Sequence, residues 1–471
     1  MIGFTRSIRR PLLCVASLLA ALTPAFGRND GKMLPGTDPA PKTRASTKAA
    51  EPKPVTGADR VAKEQYEKRA AEIALRIDSA AATSQENAAL LYYQALLACH
   101  ESDPGTARAF DAVLRGTEPN AWIRVYLGRS LTTIAVAQVA SQMPRCNWGP
   151  MRAAEQSLDL NLGLPLRRLG YLLHVDVRTL AADGHARAAL ARCLTIRRLA
   201  HHTGDETSIL YFISQGMNTA ALRAIEQVLG TSPPDGATLR WLKGQLAAAP
   251  GTPFQPAQAL HKWRDAELQF WRTRPKGRAF TRKLVLDSIP DANDRKELTA
   301  LTDEQLLVIA LQGEQMAPGR YGLSAPPALL ERAQQACDKY LDAALQIMKG
   351  DRSYREKHAK LQAMVDSLDD QAADGDPIAL LRDAPSAVEV YHRLMVRNAV
   401  YDNVTTAAIE ICLVKANTGQ LPRVLPSGLP QDLFTNRDFE YERTEKGFVL
   451  RFDPENVSRI QVRQFEFKVR E

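Results

Sequence analysis

Several motifs that mark common enzyme classes are missing from this sequence of 471 residues. It contains no Gly-x-x-x-x-Gly-Lys loop, no Gly-x-Gly-x-x-Gly turn, no Cys-x-x-Cys pair and no His-Glu-x-x-His helix. These absences argue against the usual nucleotide-binding, dithiol and zinc-protease sites, and no cofactor is predicted. We therefore expect a binding or scaffold protein. The alternative is an enzyme of another type that has its site between helices.

Long apolar runs are also lacking beyond the start of the chain. Arg, Lys, Asp or Glu interrupts every later helical stretch, whereas a membrane-spanning helix needs about 20 mostly apolar residues. The sequence therefore predicts no stable membrane span after its N-terminal segment.

Residues 1–27 have the three regions of a signal peptide. Basic residues come first, an apolar run follows from Leu12 to Leu22, and the small residues Ala25 and Gly27 suit cleavage before Arg28. The run is too short to cross a bilayer of about 30 Å. We expect export to the periplasm or the cell exterior, by either the general or the twin-arginine route.

The chain contains 61 Lys and Arg residues and 53 Asp and Glu residues, which gives a formal net charge of +8. Neither sign of charge therefore dominates. Acidic residues are interspersed with basic ones through nearly every helical stretch, whereas nucleic-acid binders gather Lys and Arg on one face. The sequence therefore predicts no nucleic-acid partner.

Cysteine is scarce, with six residues in the chain, and one of them, Cys14, lies in the signal peptide. The remaining five are widely spaced and do not form a disulfide framework, although a single disulfide stays open. Cys193 and Cys337 lie among apolar residues of helical stretches, so we expect both to be small core residues.

Apolar residues at helical spacing fill most of the chain. Residues 28–57 are rich in Pro, Lys, Thr and Ala and predict a disordered linker, whereas residues 58–416 predict helices, with a possible boundary near 230–255. In the clearest hairpin two helices meet at Asp183-Gly184, because glycine accepts the positive φ that ends a helix. The predicted class is mainly α, an α-solenoid or an array of helical hairpins.

Further helix starts are predicted by capping boxes, in which two side chains three residues apart bond each other's backbone N–H groups. Three pairs fit this pattern: Thr302 with Gln305, Ser353 with Glu356, and Ser386 with Glu389. Pro326-Pro327 opens another helix, since proline is tolerated in the first turn.

Residues 417–471 change to the alternation that is typical of strands. Alternation is clear over 439–442 and 448–452, and Glu445-Lys446-Gly447 supplies a turn between the two runs. A third run over 460–469 slips once near Gln464, as at a bulge. We predict a small antiparallel β module of about three strands.

Two stretches resemble known proteins: residues 86–96, Glu-Asn-Ala-Ala-Leu-Leu-Tyr-Tyr-Gln-Ala-Leu, and Cys146-Asn147-Trp148-Gly149. Together they resemble a family of uncharacterised exported bacterial helical proteins. Residues 182–190 also resemble the junction of a tetratricopeptide repeat, with Gly184 at the turn and Ala189 at the small packing position. The resemblance implies stacked helix pairs and brings no activity, catalytic residue or ligand.

The end of the chain is similar to the C-terminal part of a type II secretion pseudopilin. A helix over 407–416 is followed by Gly419-Gln420-Leu421-Pro422, by Asp432-Leu433-Phe434 and by the predicted strands. The resemblance implies shared ancestry of this module and a secretion-system accessory as a further alternative. A prepilin has a long apolar helix directly after its start, where this chain has several arginines.

One basic segment is a candidate binding surface. It contains six basic residues and no acidic one: Arg272, Arg274, Lys276, Arg278, Arg282 and Lys283. Two tryptophans, Trp263 and Trp271, come shortly before these residues in the sequence. Arginine forks bind oxyanions in pairs, so this segment can hold an anionic polymer of the cell envelope. The alternative is a solvated loop after a helix whose aromatics pack inward. The main partner that we expect is a protein or peptide on a concave helical surface.

Histidines and one tryptophan complete the candidates. Four histidines fall in one predicted hairpin together with several carboxylates: His174, His185, His201 and His202. They could bind a transition metal only if their side chains converged on one point. Positions at the surface and at helix ends are the alternative, so no metal site is predicted. We expect Trp148 to fill the groove between helix pairs, with a ligand contact as the alternative.

Overall fold

A computed structural model shows a mainly helical chain that ends in a three-stranded antiparallel sheet, as the sequence predicted. It describes residues 60–61, 63–65, 87–100, 103–148, 156–204, 208–248, 256–274, 277–289, 291–316, 320–381, 383–452 and 464–468. The predicted signal peptide and linker lie outside these residues. Among the residues that are described, no helix has both the length and the apolar composition that a bilayer crossing requires.

Helices α1 to α7 are, in chain order, Ala88–Leu97, Pro104–Leu114, Ala121–Gln142, Gln156–Ala182, Ala186–Thr203, Ser208–Thr231 and Gly236–Ala248. Helices α8 to α15 are Pro256–Thr273, Arg282–Asp287, Ala292–Thr299, Asp303–Met316, Pro327–Lys349, Tyr354–Ala373, Asp383–Ser386 and Val388–Thr418. A 3-10 helix, η1, covers Pro377–Leu381. Strands β1 to β3 are Glu440–Thr444, Gly447–Arg451 and Gln464–Lys468.

The hairpin of α4 and α5 has the geometry that its sequence predicted. Gly184 has a φ of 84°, and the backbone N–H of His185 donates to the carbonyl of Leu180 at 2.8 Å. This bond satisfies a carbonyl that the end of α4 leaves free. Ala189 is fully buried on the first turn of α5, so the two helices approach closely.

Two of the three predicted capping boxes are confirmed. Thr302 and Gln305 bond each other's backbone at the start of α11, and Ser353 and Glu356 do the same at the start of α13. The box at Ser386 is wrong. The Ser386 hydroxyl donates to the carbonyl of Asp383 at 3.0 Å because the residue ends the short α14, and α15 begins after Ala387 without a side-chain cap.

Within the part of the chain that the structure describes, buried apolar side chains form two clusters. The first core joins α1 to α7 with the C-terminal half of α15 and the sheet, and it includes Cys193. The second core joins α8 to α13 and η1 with the start of α15, and it includes Cys337. Both cysteines are fully buried free thiols, as predicted.

Helix α15 is 31 residues long and belongs to both cores. Val388 and Tyr391 near its start lie in the second core, whereas Val400 and Val404 lie in the first. It packs against α6 and α7 although some 140 residues of chain separate it from them. The predicted solenoid is not confirmed, because the last helix returns to elements from the middle of the chain.

The sheet has the order β1-β2-β3, with both pairs antiparallel. Thr444 pairs with Gly447 across the predicted turn, and Gly447 takes a φ of 152°, which glycine adopts readily. Phe465 and Phe467 of β3 are buried, and the Phe465 ring lies 5.0 Å from that of Tyr401 on α15. The sheet therefore packs on the first core. The predicted bulge near Gln464 is not tested, because the residues just before Gln464 lie outside the described part of the chain.

Candidate functional site

Two arginines of the predicted basic segment are engaged by the chain itself. Arg274 Nη2 lies 3.1 Å from Glu314 Oε1, and the buried carboxylate of Glu314 also accepts the backbone N–H groups of Tyr321 and Gly322. Arg282 contacts the carboxylate of Asp303 at 2.7 Å and donates to two backbone carbonyls, that of Thr299 at the end of α10 and that of Leu301 in the following loop. Both side chains tie loops of the second core together.

The other members of the basic segment lie at the surface or outside the described residues. Arg272 is exposed and donates to Gln334 Oε1 at 3.2 Å, Arg278 and Lys283 are exposed, and Lys276 is not among the described residues. Trp271 is buried, and its Nε1 donates to the carbonyl of Leu380 at 3.0 Å. Trp263 packs against the second core. Arg274 lies over the ring of Trp271 at 5.6 Å, whereas the other described cations of the segment contact other groups or lie exposed at the surface.

Trp148 lies between α1 and the end of α5. Its ring stacks on Tyr92 at 5.6 Å, and its Nε1 donates to the carbonyl of His202 at 2.7 Å. The side chain of Asn87 caps α1 and exchanges two hydrogen bonds with the backbone of Asn147. Asn147 thus binds Asn87, the residue that caps α1. The helix that follows Asn147 in the described part of the chain is α4, which begins nine residues later at Gln156.

The histidines of the predicted cluster occupy different environments. His201 and His202 lie in the last turn of α5, with His202 Nδ1 3.1 Å from the Tyr92 hydroxyl. His174, which was expected at the surface, is buried within α4. Burial lowers the pKa of His174 and of His202 to about 4, and a neighbouring charge adds to the effect in each case. Among the described residues, no group of three His, Cys, Asp or Glu side chains can hold a metal ion.

Large apolar side chains are exposed on α1 and at the start of α3. Leu90 and Leu97 are 59% and 87% exposed and share one face of α1 with Tyr93, because residues three and four apart are neighbours on a helix. Trp122 and Val125 are 62% and 47% exposed on α3. The end of α1 lies beside α3, since Thr133 Oγ1 donates to the carbonyl of Ala98 at 3.0 Å.

A polar layer separates the two cores where α6 crosses α15. Asn398 Oδ1 accepts from Asn218 at 3.1 Å and from the Thr219 hydroxyl at 3.0 Å, and Asn398 Nδ2 donates to Gln215 Oε1 at 2.5 Å. Gln215 is fully buried, and its Nε2 has no hydrogen-bond partner within the described part of the chain. A buried donor without an acceptor costs about 1–3 kcal/mol.

Three arginines lie close to this layer. Arg393 and Arg397 are four residues apart on one face of α15, and Arg223 projects from α6. Arg393 Nη1 lies 3.3 Å from Glu389 Oε1, and Arg223 Nη1 lies 3.3 Å from Glu226 Oε2. Arg223 also stacks over the Phe465 ring at 4.5 Å.

Arg397 differs from its two neighbours, because no carboxylate among the described residues pairs with it. Its Nε is enclosed and has no hydrogen-bond partner, while the residue as a whole is half-buried. Burial lowers the pKa of Arg397, and the positive charges of Arg393 and Arg223 lower it further. Desolvation raises the pKa of Glu226 to about 7 against the opposing effect of Arg223, so this carboxyl group compensates the arginines only partly at neutral pH.

An aromatic group adjoins Arg393 on α15. Tyr354 of α13 stacks on His392 at 5.2 Å and on His358 at 5.7 Å, and its edge meets Phe434 at 4.9 Å. His358 Nδ1 lies 3.3 Å from Glu389 Oε1. Burial lowers the pKa of His392 to about 4 and raises that of Tyr354.

Sequence reasoning missed the polar layer and its arginines. The only available signal was the i, i+4, i+8 spacing of Arg393, Arg397 and Tyr401, which places them on one helix face. Gln215 and Arg223 come from a helix that is distant in the sequence. Comparison of the chain with family models, with curated proteins and with solved structures gives no match.

Proposed function

We propose that the protein is an exported binding protein that docks a helical segment of a protein partner on α1 and the start of α3. The observation that supports this proposal is the exposure of Leu90, Leu97, Trp122 and Val125. Burial of apolar surface contributes about 25 cal/mol per Å², so such side chains favour association. Tyr93 lies between Leu90 and Leu97 on the same helix face, and this spacing suits a helical partner.

The proposed compartment rests on the sequence pattern of residues 1–27. A basic start, a short apolar run and small residues before Arg28 support cleavage and export to the periplasm or the cell exterior. The resemblance of two sequence stretches to exported helical proteins of the tetratricopeptide-like type fits the same compartment, and the resemblance of the C-terminal module to a pseudopilin fits a place in the envelope.

Two alternatives carry less support. An anionic envelope polymer has only Arg272, Arg278 and Lys283 as exposed contacts in the described part of the basic segment, because Arg274 and Arg282 bind carboxylates of the chain. An enzyme with a site between helices lacks a supporting arrangement of nucleophile and base among the side chains described above.

The test places a photo-crosslinking amino acid at Leu97 or at Trp122 of the full chain in its native cell. We expect crosslinks to a second protein in the exported fraction from both positions. Val424, which is 75% exposed on the connection between α15 and β1, is the control position and is expected to give none. Crosslinks that stay within the chain, for example to residues before Asn87, would contradict the proposal.

A further inference from the structure

We infer that the polar layer between the two cores is a binding site for the carboxylate group of a small organic ligand, with Arg397 as its main contact and Gln215 as a second donor. This site is separate from the apolar surface of α1 and α3. It lies where α6 and α15 cross, between the sheet side of the first core and the start of the second.

The first argument is the kind of atom that lacks a partner. Gln215 Nε2 and Arg397 Nε are both enclosed, and neither has a hydrogen-bond partner in the described part of the chain. Both atoms are donors, so the group that is missing from the layer is an acceptor. Arg397 interacts electrostatically with Tyr211 and Arg223, which flank Gln215 along α6, so the two orphan donors belong to the same crossing of helices. Buried polar groups are nearly always hydrogen-bonded, which makes such donors informative.

The second argument is the charge of the cluster. Arg393 and Arg223 each have one carboxylate neighbour, Glu389 and Glu226, whereas Arg397 has none among the described residues. Because burial raises the pKa of Glu226 to about 7, its carboxyl group is only partly ionised at neutral pH, so the three arginines keep more positive charge than these two carboxylates compensate. A ligand carboxylate compensates that charge, and its two oxygens accept the parallel N–H bonds that a guanidinium offers.

The third argument is the fixed geometry of the surroundings. Arg223 is held over the rings of Phe465 and Tyr401 at 4.5 and 5.7 Å, and Asn398 is held by three side chains of α6. Arg397 therefore lies next to residues that cannot turn to pair with it without losing their own contacts. The planar guanidinium suits a carboxylate, which takes two parallel N–H bonds, and the half-buried side chain leaves a route from solvent.

The experiment measures the melting temperature of the full chain at pH 7 in sodium acetate, in sodium phosphate and in sodium chloride of equal ionic strength. We expect acetate to raise the melting temperature above that in chloride, because a ligand that binds only the folded state stabilises it. Phosphate is expected to act no more strongly than chloride. No difference between acetate and chloride, or a larger effect of phosphate, would overturn the carboxylate assignment.

Two variants assign the effect to Arg397. R397Q is expected to weaken acetate binding about tenfold or more, because a hydrogen bond to a charged group is lost. R278Q, at an exposed arginine, is the matched control and is expected to respond to acetate like the unaltered chain.

A second readout separates ligand binding from a structural role. In chloride alone, R397Q is expected to melt at the same temperature as the unaltered chain or higher, because it removes a buried charge that has no counterion. A variant that melts much lower, or that does not fold, would show that Arg397 stabilises the ligand-free chain and would count against the site. An acetate response that survives in R397Q would do the same.

Discussion

Selected acidic side chains of the two cores bind different groups. In the first core, Asp176 and Asp183 pair with arginines of neighbouring long helices: Arg192 of α5 contacts Asp176 of α4 at 2.7 Å, and Arg124 of α3 contacts Asp183 at 2.5 Å. In the second core, Glu314 pairs with Arg274 and also accepts two backbone N–H groups of a loop, while Arg282 donates to two backbone carbonyls. Regular hairpins satisfy their own backbone, whereas short helices and loops need side chains for it.

This difference accounts for the contacts of two arginines in the basic segment, for which the sequence offered either an anion-binding surface or a solvated loop. A run of arginines without acids nearby in the chain resembles an anion-binding surface, yet Arg274 and Arg282 meet Glu314 and Asp303 after folding. The second core contains the six-residue α9 and the eight-residue α10, and its loops provide the backbone groups that these side chains satisfy.

The largest expected effect is the loss of Glu314. Glu314→Ala leaves Arg274 without its carboxylate and two loop N–H groups without an acceptor, so we expect the free energy of unfolding to fall by about 3–5 kcal/mol. Urea denaturation followed by circular dichroism measures this change. Glu304→Ala is the control: Glu304 pairs with Arg332 at the surface, and its loss is expected to cost about 0–1 kcal/mol. Equal losses in the two variants would contradict the contrast between loop-binding and surface acids.

The next effect is acid sensitivity of the first core. The pKa of His174 is about 4 in the folded chain and about 6.5 when unfolded, so the unfolded state binds more protons between these values. The free energy of unfolding therefore falls as the pH falls through this range, by roughly 2–3 kcal/mol for this residue. Hydrogen exchange is expected to show lost protection in α4 and α5 before α12, which contains no histidine.

His174→Gln tests the cause of that acid sensitivity. Gln keeps a polar group at the site and does not titrate, so the variant is expected to lose less protection in α4 when the pH is lowered. If the unaltered chain and the variant respond equally, or if α12 opens first, the histidine is not the cause.

The smallest effect compares two glycines. A Cβ on Gly277 meets the carbonyl oxygen of Gly322 at 2.3 Å, and this backbone holds the bridge between Arg278 and Leu323. Gly277→Ala is expected to lower the free energy of unfolding by about 1–3 kcal/mol. In the first core, a Cβ on Gly170 meets the flexible side chain of Met217 at 3.0 Å, and the helix favours alanine, so Gly170→Ala is expected to be nearly neutral. Thermal melting of both variants measures the difference, and a reversed order would show that loop backbone yields more easily than a packed helix.

Local features were predictable from the sequence because they depend on neighbouring residues. The turn at Gly184, the capping boxes at Thr302 and Ser353 and the strands around Gly447 are all confirmed. The box at Ser386 failed because η1 and α14 interrupt the helix pattern just before it. No rule of spacing signals such an interruption.

The polar layer was beyond reach for another reason. Gln215 and Asn398 each look like an ordinary polar residue of an amphipathic helix, and only the crossing of α6 and α15 makes them partners. The same holds for Arg397, whose lack of a counterion is a property of its three-dimensional surroundings. A site of this kind has no motif, because it is assembled from residues that are far apart in the chain.

The unbroken course of α15 has a mechanical consequence. Because this one continuous helix is packed into both cores, rotating either core against the other requires the helix to bend or to slide. The bend would fall near Asn398, where hydrogen bonds to three side chains of α6 resist it. A small molecule bound near Asn398 would therefore stabilise both cores at the same time, and its removal would make both more mobile.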